Sequence, residues 1–318
     1  MSVTPSQNRS DRRLAVLLLL GTGGLLGTSA IVAKAAAGAG LSPLTLLLWS
    51  MLGGGLIQWG RLALRGQRLT VSRTILLYAV GSGLFFAIPN ALALAAVPHI
   101  GAGFVAMCFA FPLMVTYAIA LAFRMERFQA MKFVGVVSGL TGGLLLAASK
   151  VQLGGVDTQW VVLALSAPVL IAFGNIYRTL YWPKDGKAEE LSIGMLLSGT
   201  VVMAIVLALP GVEAGTQVWS YDIWSGEALA LTAVQSVAFA VLYDLYFRLQ
   251  KLAGPVYLSQ IGSVSAVTGV LLALIFFGEV PGILQIAAAG FIAVGLVLMN
   301  RAQQAPLAAR EDRLALVE

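Results

Sequence analysis

Residues 44–97 read LTLLLWSMLGGGLIQWGRLALRGQRLTVSRTILLYAVGSGLFFAIPNALALAAV: two apolar runs, 44–62 and 75–97, with Arg61, Arg65, Arg68 and Arg73 between their cores. A bilayer core about 30 Å thick needs roughly 20 mostly apolar residues per helix, and each run meets that length. The next gap, after 97, holds neither Lys nor Arg. An arginine-rich connection followed by an empty one is the charge pattern that orients a membrane protein.

Extending the reading in both directions gives ten apolar stretches, at 14–34, 44–62, 75–97, 100–123, 130–148, 160–179, 191–210, 227–248, 255–277 and 283–299. None reads as a strand, so the expected class is an all-α integral membrane protein. Basic residues alternate with the connections. Arg9, Arg12 and Arg13 precede the first stretch; Arg124, Arg127 and Lys132 follow the fourth; Arg178, Lys184 and Lys187 the sixth. Arg248 and Lys251 follow the eighth, and Arg301, Arg310 and Arg313 the tenth. Of the 20 Lys and Arg, 18 fall on one side, with Lys34 and Lys150 the exceptions. The positive-inside rule then makes both termini cytoplasmic.

Composition agrees: 59% of residues are hydrophobic and 11% charged, with a mean hydropathy of +0.89. Soluble domains carry about 25% charged residues. The net charge of +6 is accounted for by the cytoplasmic connections, so no nucleic-acid partner is implied. A single cysteine, Cys108, lies within the fourth stretch and rules out an internal disulfide and a cysteine-cluster metal site. The first stretch lacks a small-residue cleavage site and reaches spanning length, which predicts that it stays as a helix. The connections are short, the longest at about 180–190 and 211–226, leaving no room for a soluble domain. The tail after 300 reads as disordered.

An internal repeat is present. Sliding the chain by 153 residues lays 101–146 on 254–299 and matches Gly101 with Gly254, Ala120 with Ala273 and Leu121 with Leu274. Phe123 with Phe276, Glu126 with Glu279, Gly142 with Gly295 and Leu145 with Leu298 also match. Each window is a helix, a charged break with Glu, and a second helix. Five helices separate the copies, so the second is inverted in the membrane.

With Gly101 and Gly103 at the start of the fourth stretch, Phe123 to Glu126 before a glycine-rich fifth (Gly135 to Gly143), and Phe276-Phe277-Gly278-Glu279 before the tenth, the chain resembles the drug/metabolite transporter superfamily, specifically the ten-helix EamA-type transporters. The resemblance covers nearly the whole chain. It implies two inverted five-helix repeats, here 14–148 and 160–299, between cytoplasmic tails 1–13 and 300–318. It also implies a multi-pass location in a bacterial-type cytoplasmic membrane and a central cavity lined by the first, third, fourth, sixth, eighth and ninth helices. Export of amino acids or other small metabolites follows from the same resemblance, with aromatic amino-acid exporters a near branch. No cofactor or metal is implied, and the expected partners are the bilayer and a small-molecule substrate. A monomer is the expected unit, a homodimer the alternative.

Ionisable groups inside a membrane cost about 2.5–3.5 kcal/mol each at the centre, and the centre is nearly free of them. Lys34 and Glu279 fall at the outer ends of the first and ninth helices, Arg178 and Glu126 at the inner ends of the sixth and fourth. They read either as gate latches, Lys34–Glu279 outside and Arg178–Glu126 inside, or as snorkelling topology anchors. Asp244 lies one turn before Arg248 and reads as a local helix pair. Uncharged polar groups at mid-membrane suit a zwitterionic or aromatic substrate in an apolar cavity. Asn90 leads, because Pro89 frees a backbone carbonyl beside it. Ser29, Asn175, Gln235, Tyr243, Gln260 and Ser263 follow, with Phe109 and Pro112 as an apolar wall and a kink. Each has interhelical hydrogen bonding as its alternative role. Gly135, Gly139 and Gly143 form a small-residue face for either bundle packing or a dimer. Trp49, Trp59, Trp160, Trp182, Trp219 and Trp224 read as interfacial anchors, and His99 as an exposed turn residue.

An enzyme would need an acid–base pair, metal ligands or an activated nucleophile. The chain has one His, no buried carboxylate pair and neither H-E-x-x-H nor G-x-S-x-G. No P-loop is present, so transport is expected to be secondary or facilitated, with a multidrug carrier or a carrier of nucleobases or sugars as the alternative. The inverted repeat disfavours a channel, because that symmetry suits alternating access.

Overall fold

The computed structural model describes residues 5–124, 128–151, 158–209, 225–258 and 260–315. Among them there is no strand. The helices are α1 (Pro5–Gly38), α2 (Pro43–Leu64), α3 (Arg73–Ile100), α4 (Ala102–Cys108), α5 (Pro112–Ala122), α6 (Ala130–Val151), α7 (Thr158–Leu180), α8 (Ala188–Leu207), α9 (Gly226–Leu258), α10 (Ile261–Phe277) and α11 (Ile283–Ala315). Seven spans are long and apolar enough to cross a membrane, with α4 and α5 counted together as Ala102–Ala122. The shorter apolar pieces Ile261–Phe277 and Ile283–Met299 and α2 bring the rods to ten, at the places of the ten apolar stretches. Leu17, Leu144, Ile275 and Ile286 are 58–73% exposed on the outside of the bundle. An apolar belt of this kind fits a multi-pass membrane protein.

One expectation about the ends is corrected. The apolar span of α1 begins at Leu14 as expected, with the helix itself starting at Pro5; the segment after 300, expected to be disordered, is helical through Ala315. Ala, Gln, Leu and Arg dominate that segment, and all are strong helix formers that can continue a helix out of the bilayer.

The fourth rod is broken where proline dictates. Phe109, Ala110 and Phe111 donate to Ala106, Met107 and Cys108, three residues back, at 3.1–3.2 Å. Pro112 opens α5 at its first position, where a missing N–H costs nothing. The ninth apolar stretch is interrupted too, between Leu258 and Ile261. The two breaks touch. A Cβ on Gly262 would stand 2.1 Å from Phe109 O, so only glycine lets the backbones meet.

α6 packs along α11. A Cβ on Gly135 would lie 2.9 Å from Gly295 O, and one on Gly142 2.9 Å from Ala288 O. Between them Ser138 Oγ donates to Phe291 O at 2.8 Å. Gly139 meets Met114, and Gly143 the Phe111 ring. Gly135, Gly139 and Gly143 of α6 therefore each pack against neighbours within the bundle.

Candidate functional site

A cavity of about 90 Å³ lies between α1, α3, α7, α9 and the two broken rods. Phe109, Pro112 and Leu113 come from the first break, and Leu258, Ile261 and Gly262 from the second. Helix α3 contributes Phe85, Phe86 and Asn90, α7 Ile171, Asn175 and Arg178, and α9 Leu242, Tyr243 and Tyr246. Thr22 and Leu26 of α1 and Met195 of α8 complete it.

Aromatic rings make one wall. Phe86 and Tyr243 meet edge to face at 4.6 Å between centroids, and Phe239 supports Tyr243 from behind at 5.3 Å. Such pairs hold rings in fixed orientations. Asn90 Nδ2 donates to Phe86 O, one turn back, at 2.7 Å. Phe85, whose carbonyl Pro89 leaves without an i+4 donor, packs against Gly174: a Cβ there would meet Phe85 O at 3.2 Å.

Beside this wall lies a polar group built from α7 and α9, with the Tyr243 and Tyr246 rings 6.2 Å apart. Arg178 Nη2 donates to Asn175 Oδ1 at 2.8 Å and to Tyr246 OH at 3.4 Å, and Tyr246 OH donates to Asn175 Oδ1 at 3.1 Å. The guanidinium lies over the Tyr246 ring, 5.6 Å from its centroid. A spacing of three puts Asn175 with Arg178, and Tyr243 with Tyr246, on common helix faces. That spacing is the signal by which Tyr246, absent from the sequence candidates, was accessible.

Other candidates lie elsewhere. Gln235 Nε2 donates to Ser29 Oγ at 3.0 Å, a buried cross-link between α9 and α1 away from the cavity lining. Pro89 does not line the cavity either. Gln260 is the N-cap residue of α10 but makes no side-chain cap. Ser263 faces an apolar lateral groove between α10 and α11. His99 is in the last turn of α3 rather than in a loop, and its ring stacks on Trp160 at 3.8 Å. Trp182 packs on Tyr78 and Phe247. Glu126, Trp219 and Trp224 lie outside the described residues.

The end of the bundle near Lys34 carries an ion-pair clasp beside a cavity of about 360 Å³. Glu279 accepts from Lys34 Nζ, from Ala102 N at 3.1 Å and from Gly103 N at 2.9 Å. Gly101, at φ +93°, turns the chain so that these N–H groups face the carboxylate. Lys34 Nζ also sits 4.6 Å from the Phe277 ring centroid. Burial works against the Glu279 charge, but the Lys34 ammonium and the two backbone N–H groups outweigh it and hold the carboxyl below its ordinary range. Phe104 and Met107, both buried, line the cavity beside this clasp together with Lys34 and Glu279. At the other end Arg61 joins Glu189 at 3.1 Å and Asp244 at 3.0 Å, and Asp244 bonds Arg248 at 3.0 Å as its spacing predicts.

No protein-family model matches the chain, and no curated protein does. One solved structure, named only "Crystal structure of protein", superposes with a TM-score of 0.62 at 18% identity, over 91% of this chain and 98% of that one. At that identity the likeness shows the fold alone.

Proposed function

We propose that the chain is a secondary or facilitated transporter of the EamA type. In this reading it exports small metabolites, neutral and aromatic amino acids foremost, from a bacterial-type cytoplasmic membrane by alternating access. The observation that carries the reading is the meeting of two broken rods at the cavity, at positions related by the 153-residue repeat. Phe109 meets Gly262, and Ser138 meets Phe291, each pair 153 apart in sequence. Gly135 meets Gly295 while Gly142 meets Ala288, which is the same contact made reciprocally. Residue i touching j′ while j touches i′ is the mark of a two-fold relation. Inverted repeats with discontinuous helices at a central site are the architecture of alternating-access carriers.

Further support comes from the lining, which draws on the first, third, fourth, sixth, eighth and ninth apolar stretches implied by the resemblance. The basic asymmetry supports cytoplasmic termini, and the internal use of the α6 glycines supports a monomer. No enzymatic role is assigned, because the lining has no acid–base pair or nucleophile arrangement.

The test is flux in proteoliposomes loaded with a panel of amino acids, nucleobases and amphipathic cations. Saturable, competable counterflow is expected for amino acids with apolar side chains. Linear, non-competable flux would point to a pore instead.

Asn90 supplies a second prediction. Its Nδ2 is held by Phe86 O, which leaves Oδ1 as an acceptor on the cavity lining. Asn90→Leu should leave the protein folded, since only a local bond within α3 is lost. Transport should fall about fivefold to twelvefold, as expected for a lost hydrogen bond of about 1–1.5 kcal/mol to substrate. Wild-type counterflow by the variant returns Asn90 to a role in helix packing.

A further inference from the structure

We propose that the cavity takes an amphipathic carboxylate whose charged end docks on Arg178, its apolar body lying against Phe85, Phe86 and Tyr243. The inference rests on the transporter reading and names its substrate class.

Arg178 is only 5% exposed yet lines the cavity. Its Nη2 is engaged by Asn175 and Tyr246, whereas Nε and Nη1 have no hydrogen-bond partner among the described residues. No Asp or Glu lines the cavity. Two other arginines toward this end differ: Arg61 has Glu189 and Asp244, and Arg248 has Asp244. A buried guanidinium with unmet donors is costly unless an anion meets it. A carboxylate is the planar acceptor that this planar donor matches.

The surroundings make Arg178 a positioned donor rather than a free one. Asn175 fixes Nη2, and the Tyr246 ring lies against the guanidinium face at 5.6 Å. Phe86 and Tyr243, locked edge to face, give the rest of the ligand a rigid apolar surface. The carboxylate is common to a zwitterionic amino acid and to its deaminated acid. The cavity's candidate acceptor for an ammonium is the neutral Asn90 Oδ1.

Equilibrium binding to the full chain in lipid nanodiscs separates the possibilities, with 3-phenylpropanoate, L-phenylalanine, 3-phenylpropanamide and 2-phenylethylamine as probes. Both carboxylates should bind, and the amide and amine should bind about tenfold more weakly or worse. Tighter L-phenylalanine identifies the zwitterion, and tighter 3-phenylpropanoate the deaminated acid; either ranking upholds the docking. Arg178→Gln should weaken carboxylate binding about thirtyfold or more, with partial recovery in Arg178→Lys. Amide bound as tightly as acid overturns the proposal on the wild-type protein alone, whether or not the variants fold. So does wild-type carboxylate affinity in a well-folded Arg178→Gln protein. Saturable flux of a non-carboxylate solute alongside such a result would retain the transporter and remove only this substrate class. Carboxylate binding without flux would do the reverse.

Discussion

Gly262→Ala should lower the apparent unfolding midpoint of the purified protein, whereas Gly290→Ala should leave it unchanged or raise it. At Gly262 a new Cβ would stand 2.1 Å from Phe109 O and 3.2 Å from Ala110 Cα, both main-chain atoms that cannot turn aside. Overpacking of this kind costs about 1–3 kcal/mol, more when backbone must move. At Gly290 nothing lies within 4 Å, and alanine improves helix propensity by about 1 kcal/mol. The pair controls for the generic effect of glycine replacement in a helix. Equal midpoints for Gly262→Ala and wild type would mean that the two broken rods do not cross backbone to backbone.

Glu279→Gln should open the Lys34 end. The carboxylate and Lys34 are 21% and 29% exposed, so the ion pair alone contributes about 0–1 kcal/mol. Two backbone N–H bonds to a charged acceptor add about 1.5–3 kcal/mol each, of which glutamine keeps a part. A net loss near 1.4 kcal/mol shifts an access equilibrium about tenfold. Labelling of Ile171→Cys in a Cys108→Ala background, with an impermeant maleimide applied from the Glu279 side, should quicken by that factor. An unchanged rate would reduce the clasp to a topology anchor.

The pH dependence of the same clasp has a definite sign. A carboxyl held below its ordinary value means that the closed end binds fewer protons than the open one. Closure is therefore fully favoured above the ordinary value of 4.5 and is lost only as pH falls through the depressed value. Mild acidification that stays above the ordinary carboxyl value should leave labelling slow.

Position along each rod was legible in the sequence; azimuth was not. The ten rods, the kink before Pro112 and the ends carrying Lys34 with Glu279 follow from apolar length, proline and charge. Asn90, Phe109, Asn175 and Tyr243 line the cavity, yet Ser29 and Gln235, at comparable depth, face each other. In a membrane helix both the lipid side and the core side are apolar, so polarity marks how deep a residue sits and says little about which way it points. Arg178 shows the limit in another form. Its place near the inner end of α7 suggested a rim charge, but the helix turns the side chain inward, and the cavity expected to be free of charge has a guanidinium in its wall.

The crossing of the two broken rods has a mechanical meaning. Where side chains interdigitate, one element slides past another only by jumping between discrete seats, because packed interiors do not deform smoothly. At Gly262 and Phe109 no side chain stands between the main chains, so there are no teeth to disengage. In the carrier proposed above, such a contact would hold the two halves at a fixed separation without interlocking them.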